Sequence, residues 1–177
     1  MLRKISWIAV PLFLALSGIG AHAADATEPV KEIIDTVAGN WKADNPTAED
    51  IFSEDRLRRL FSADFAKVYR EASKHPAYDL PEGQTTGSPF DYDPIAGGQD
   101  GCAFENIRVQ DDGEGQVTAL FNNRKCMGDD AANSQDTVLI FHVLTENGHP
   151  VVDDMFRVVD GNSGNSLKDE LKGIAAQ

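Results

Sequence analysis

The chain has 177 residues, with 16 Lys and Arg against 29 Asp and Glu, and a formal net charge of −13. An acidic surface of this kind argues against nucleic acid and anionic lipid as partners, because binding either depends on basic side chains displacing counterions from phosphate. Cations, basic proteins and neutral small molecules remain possible, beside the plainer role of an acidic surface in keeping a protein in solution.

At the N-terminus Arg3 and Lys4 precede the apolar run "ISWIAVPLFLALSGIG" and then "AHA", which has small residues at the two positions a signal peptidase reads. The run is short for a membrane span of ~20 residues, contains Pro11, and is followed by no basic stop-transfer cluster. The pattern predicts a secretory signal over residues 1–23, cleaved after Ala23, and a periplasmic or secreted protein with no membrane attachment afterwards. No cysteine stands at the cleavage site to carry a lipid. Residues 24–177 hold 14 basic against 29 acidic residues, a net charge of −15. About 154 residues suffice for a single domain that buries roughly two-thirds of its unfolded surface, and no repeat or linker divides them.

From Thr27, "TEPVKEIIDTVAGNWK" places Val30, Ile33, Ile34, Val37 and Trp41 on one helical stripe. Pro29 suits the first turn and Gly39 marks the end. Thr47 and Asp50 have capping-box spacing ahead of a second stripe: Leu57, Leu60, Phe61, Phe65, Val68 and Ala72. Ser53 or Ser62 can divide that stripe into two helices, and Pro76 ends it. A long irregular segment follows, from Pro76 to Gly101, with four prolines and five glycines. Loops of this length are usually functional or disordered. Phe90, Tyr92 and Ile95 are its apolar anchors, so its second half is expected to pack, while residues 77–88 stay looser.

The back half reads as two antiparallel hairpins. "CAFENIRVQ" and "GQVTALFNNRKC" flank "DDGEG"; "TVLIFHVLT" and "VVDDMFRVV" flank the Asn147-Gly148 turn. If Gly113, Glu114 and Gly115 form a three-residue loop, Val109 faces Ala119, Ile107 faces Phe121 and Cys102 faces Cys126. The same register pairs the apolar residues and the cysteines, which predicts a Cys102–Cys126 disulfide in an oxidising compartment. A redox role for the pair lacks the Cys-x-x-Cys spacing. If Asn147-Gly148 is a two-residue turn, His142 lies opposite Asp153, Phe141 opposite Asp154 and Val143 opposite Val152. An imidazole beside a carboxylate is the pairing that general acid–base catalysis uses; equally, the pair is a solvent-facing cross-strand contact. Ser166 and Asp169 cap a short C-terminal helix.

"DYDPIAGGQDGC" concentrates Asp91, Asp93 and Asp100 beside Gln99. It does not have the ligand spacing of a calcium loop. It reads instead as a stiffened lead-in to the first strand, whose residues Phe90, Asp91, Tyr92, Asp93, Gln99 and Asp100 are candidates to rim a binding site. No nucleophile elbow, zinc-ligand spacing or phosphate-cradling loop occurs in the chain, so no metal and no cofactor is expected. His75, beside Pro76, and His149, beside the turn, read as surface residues; His22 departs with the signal. Trp41 and Phe104 read as core.

Asp93-Pro94 with Gln99-Asp100, then Val151-Val152-Asp153-Asp154-Met155, then Ser166-Leu167-Lys168 with Leu171, resemble the motifs of a family of secreted bacterial proteins, domain-of-unknown-function family 3828, over most of residues 28–173. The tryptophan usual in the family's Asp-Asp strand is absent, Met155 replaces an isoleucine and Lys168 an arginine. The resemblance implies a nuclear-transport-factor-2-like fold: an α+β domain with N-terminal helices on the concave face of a curved four-stranded antiparallel sheet, forming a cone that can enclose a pocket. That superfamily contains isomerases, dehydratases and cyclases beside many binding modules, so the fold alone does not choose the function. The expectation is a non-catalytic module that binds a periplasmic protein or a small ligand, such as an inhibitor of a basic toxin or enzyme, or an envelope stress factor. The alternative is a cofactor-independent isomerase or dehydratase using His142 with Asp153 or Asp154.

Overall fold

The computed structural model describes residues 25–45 and 47–177; the expected signal segment and its cleavage site lie outside the described residues. Four α-helices and five β-strands follow one another: α1 (Thr27–Asn40), α2 (Glu54–Leu60), α3 (Ala63–Ala72), β1 (Glu105–Gly113), β2 (Gln116–Asn122), β3 (Thr137–Glu146), β4 (His149–Val159), β5 (Asn162–Ser166) and α4 (Leu167–Ala175). The strands form one antiparallel meander in the order β1-β2-β3-β4-β5. The fold is α+β, as expected, but the sheet has five strands rather than four. β5, "NSGNS", has no apolar alternation, which is why its periodicity gives no strand signal. It is brought in by the turn Asp160-Gly161.

Three two-residue turns join β1 to β2, β3 to β4 and β4 to β5. Each pairs a non-glycine residue at φ near +50° with a following glycine: Glu114 and Gly115, Asn147 and Gly148, Asp160 and Gly161. Positive φ at both central positions is what matches a turn to the twist of the strands beside it. The first turn is thus tighter than the expected three-residue loop, and the register shifts by one residue between Asp111 and Gly113.

Alternate residues of β2 and β3 (Val117, Ala119 and Phe121; Leu139, Phe141 and Val143) point inward and are buried. They meet Val30, Ile33, Ile34 and Val37 of α1, the stripe expected from the sequence. Phe52, Phe61, Phe65 and Tyr69 fill the space under α2 and α3, with ring centroids 4.7 Å apart for Phe61 and Phe65 and 4.5 Å for Phe52 and Tyr69. The second expected stripe is divided at Ser62. Phe61 turns extended and makes a short parallel bridge to Val152 of β4. The Ser62 N–H donates to Val152 O, and its hydroxyl accepts from the Phe65 N–H as the N-cap of α3. The Glu146 carboxylate of β3 also accepts from the Ala63 N–H at that helix end. The Thr47–Asp50 capping box does not form. Asp50 instead accepts from the Phe52 N–H, and this turn delivers Ile51 and Phe52 to the core before α2 begins. At the C-terminus the Ser166 hydroxyl does accept from the Asp169 N–H and caps α4.

Two bulges alter the expected registers. In β1, Asn106 at φ 55° inserts between Glu105 and Arg108, so Ile107 does not face Phe121 and is exposed. Phe104 takes its place and stacks on Phe121 with centroids 4.1 Å apart. Val109 faces Ala119 as expected. In β4 the register slips between Val152 and Asp154, leaving Asp153 as the extra residue. His142 therefore lies opposite Asp154, not Asp153, and Phe141 opposite Met155, not Asp154.

The cysteines form the expected disulfide, with Cα atoms 5.8 Å apart and a sequence separation of 24. Cys102 lies just before β1, where its N–H donates to Asn123 O, and Cys126 lies in a short 3-10 turn after β2. The bond therefore closes the open end of the first hairpin. Replacing both cysteines by serine is expected to cost about 3 kcal/mol through the greater freedom of the unfolded chain. Urea denaturation would read this as a lowered midpoint, and reducing the unmodified protein should lower it by a similar amount.

Candidate functional site

Residues 90–101 lie over the end of the sheet where β2 and β4 run out, and Asp93 organises them. Its carboxylate accepts from the N–H groups of Ile95 (2.8 Å) and Ala96 (3.0 Å) and from Trp41 Nε1 at the end of α1 (2.8 Å). Its main chain closes the loop: the Gly97 N–H donates to Asp93 O, and the Asp93 N–H to Gly98 O. Ile95 and Ala96 are thereby pressed into the protein and buried, as is Phe90, whose ring lies 5.9 Å from that of Phe52.

Three further side-chain contacts tie the loop to the strands and to α4. Arg157 of β4 donates through Nη2 to Ile95 O (2.8 Å) and to Pro94 O (3.2 Å). Asn123, buried at the end of β2, donates to Ala96 O and accepts from the Thr137 hydroxyl. The Tyr92 hydroxyl donates to the Glu170 carboxylate of α4, and burial together with that carboxylate pushes the phenol well above its usual pKa. Gly97, at φ +84°, lies against the Arg157 guanidinium, and a side chain there would displace it. Gly101 is equally confined, because a Cβ would come within 2.8 Å of the Trp41 ring.

Of the expected rim residues, Phe90, Tyr92 and Asp93 are thus spent on building the loop. Gln99 is exposed, but its amide donates to Asp91 O, which also accepts from the Tyr78 hydroxyl. The carboxylates of Asp91 and Asp100 are exposed. The first half of the long segment is exposed from Ala77 to Thr86 except at Leu80, yet it is tied back by the Ala77 N–H to Ser88 O and the Gly87 N–H to Ser73 O.

His142 lies opposite Asp154 in the register, but its side chain makes no hydrogen bond to Asp153 or Asp154. The His142 side chain is exposed on the outer face of the sheet, its ring 4.7 Å from that of Phe156, beside an open recess lined by Asp112 and Glu114. Asp153 accepts from the Ser62 hydroxyl (2.7 Å) and from Lys168 Nζ (2.8 Å). Burial raises the Asp153 carboxyl, but the hydrogen bonds from Lys168 and Ser62 and the lysine charge outweigh it and hold the group below the usual carboxylate range. Burial conversely lowers Lys168, while Asp153 and Asp64 raise it by more. Asp154 is buried and accepts from the Ser166 hydroxyl and from the N–H groups of Lys168 and Met155. His75 and His149 are exposed.

Sequence reasoning missed a polar recess of about 330 Å³ beside the loop, whose lining includes Gly97, Asp100, Arg124, Gln135, Asp160 and Arg157. Two arginines reach it from different strand ends. Burial lowers the Arg157 pKa, opposed by the negative charge of Asp93, but a guanidinium stays protonated near neutrality. A signal for Arg157 existed in principle: it is the one charged residue on the inward side of β4 beyond the bulge, opposite the buried Leu139. It could be found only with the bulge already known.

Two outcomes follow. Asp93→Ala should cost about 2–3 kcal/mol, since it leaves three N–H donors without their charged acceptor; amide exchange at Ile95 and Ala96 should accelerate, and Asp93→Asn should cost less. For Asp153 the folded carboxyl is the stronger acid, so the stability it lends is complete above the unfolded pKa of about 3.9 and is lost as pH falls through the lower folded value. Lys168→Met should therefore lower stability near neutrality by about 1–2 kcal/mol. It should also flatten the acid limb of a stability curve measured by denaturation from about pH 7 to about pH 2.

Comparison of the chain with protein-family models, with curated proteins and with solved structures finds no match.

Proposed function

We propose that this is an exported, non-catalytic binding module of the nuclear-transport-factor-2-like kind, akin to domain-of-unknown-function family 3828, which presents the rim of the 90–101 loop to a periplasmic protein or small ligand. The observation that carries the reading is the loop itself. Its buried anchors, Asp93 turn, Arg157 clamp and disulfide-closed hairpin fix the backbone beside an open polar recess. A rigid rim loses little freedom when a partner docks, which favours affinity. The disulfide suits an oxidising compartment and accords with the Arg3-Lys4 and "AHA" signal pattern. Helices packed on one face of an antiparallel sheet support the fold assignment. The isomerase or dehydratase reading has less support, because Asp153 and Asp154 are engaged in structural hydrogen bonds and His142 points away from the helices.

Two measurements test the reading. Protein recovered from the periplasm should begin at Ala24 by intact mass; a chain that keeps residues 1–23 would refute export. Bait comprising residues 24–177 with its disulfide intact should recover a partner or ligand from periplasmic extract, and Asp93→Ala bait should recover less. Equal recovery by both, or none by either, would overturn the assignment of binding to this rim.

A further inference from the structure

Acidic residues outnumber basic ones about two to one in this chain, so an arginine without a carboxylate partner is the unexpected case. Of the seven arginines among the described residues, Arg56, Arg58, Arg59, Arg70 and Arg108 are ion-paired. The two without an ion pair are Arg124 and Arg157, and both line the recess beside the loop.

Their hydrogen bonding is incomplete in a way that leaves charge available. Arg157 uses Nη2 on two neutral carbonyls, which fix the plane of its guanidinium and do not neutralise it. Arg124 has a buried Nε with no hydrogen-bond partner, and its Nη2 makes only a long contact, 3.4 Å, to Gln135 O. That Nε is sealed from solvent, so the charge open to a ligand is the one carried on the Nη groups. The acids around the recess decide which partner fits. Asp136 already pairs with Arg108, while Asp100 and Asp160 also line the wall. With two guanidiniums and two further aspartates in one lining, much of the positive charge is offset, which disfavours a phosphate dianion and limits the recess to a singly charged oxyanion held through the guanidinium donors. The guanidinium fork matches carboxylate geometry, and 330 Å³ is at the small end of ligand sites.

We infer that the Arg124–Arg157 recess binds a monocarboxylate, either a small organic acid or the C-terminal carboxylate of a polypeptide. The inference rests on the binding-module reading and names the ligand chemistry of its rim. The test titrates the disulfide-intact chain, residues 24–177, with N-acetylglycine, with its primary amide and with inorganic phosphate. Arginine Nε–H and Gly97 amide resonances are followed by NMR. N-acetylglycine should shift the Arg124 and Arg157 signals saturably and the amide should not; Arg124→Gln should weaken the acid by about tenfold, the size expected for one charge-assisted hydrogen bond. Arg124 is used because Arg157 also holds the loop; Arg157→Lys serves as a second variant, with a thermal melt to show that it folds.

Equal response to acid and amide, unchanged affinity in Arg124→Gln, or phosphate outcompeting the acid would each overturn the inference. A tetrapeptide with a free C-terminus that binds more tightly than both its amide and N-acetylglycine upholds it with a chain terminus as the source. No gain over N-acetylglycine upholds it with a small acid as the source. Recovery from extract of a partner that Arg124→Gln retains, with no response to the acid, would leave the binding-module reading standing and remove this pocket from it.

Discussion

One extra residue in β4 sets the geometry of the whole back half. Side chains of a strand alternate between faces, so a single inserted position exchanges the faces of everything beyond it. Before Asp153 the inward residue is Val152; after it the inward residues are Met155 and Arg157, opposite Phe141 and Leu139. Without the bulge, Asp154 would stand opposite Phe141 in the apolar interior. The bulge keeps the core apolar and delivers a guanidinium to the open end of the sheet. It is held from the helical side, where the Ser62 hydroxyl and the Lys168 ammonium both donate to Asp153.

The polar residues around this bulge are organised so that the starts of α3 and α4 are each served by a strand and by their own cap. Ser62 caps α3 while touching Asp153, Glu146 reaches the first turn of α3, and Asp154 accepts from Ser166 and from the Lys168 N–H in the first turn of α4. Carboxylates at helix N-termini are favourable there because they meet unpaired N–H groups at the positive end of the dipole. Of the consecutive aspartates, which in sequence invite a catalytic reading, Asp154 is consumed by this role and Asp153 by the Ser62 hydroxyl and the Lys168 ammonium. The loop over the sheet end repeats the pattern at smaller scale, with Asp93 accepting from its own turn and from Trp41.

What the sequence made legible was what neighbouring residues determine. The α1 stripe, the Asn147-Gly148 turn and the Val109–Ala119 register follow from local periodicity or turn chemistry, and the Cys102–Cys126 bond forms although the Asn106 bulge interrupts the register that led to it. The illegible parts were decided at a distance. Asn106 bulges where Phe104 replaces Ile107 against Phe121, and Asp153 bulges where Ser62 and Lys168 meet it. β5 is polar throughout and is a strand only because the Asp160-Gly161 turn returns the chain onto β4. The recess escaped notice for the same reason. Arg124 and Arg157 are far apart in the chain, and neither belongs to a motif.

The separation between Ser62 and Asp153 bears on the order in which the protein can assemble. The three hairpins close through two-residue turns and contacts among near neighbours, whereas the bond that holds the β4 bulge spans 91 positions. Contacts that close long stretches of chain are entropically costly and slow to form. Contact-order reasoning therefore places the meander early and its stapling to the helix pair late. During that interval the face that β4 turns inward beyond Val152 lacks its long-range anchor. Lys168, 15 positions from Asp153, already holds the bulge from α4, and the Ser62 bond from the α2–α3 junction is the contact that joins the two halves of the chain there.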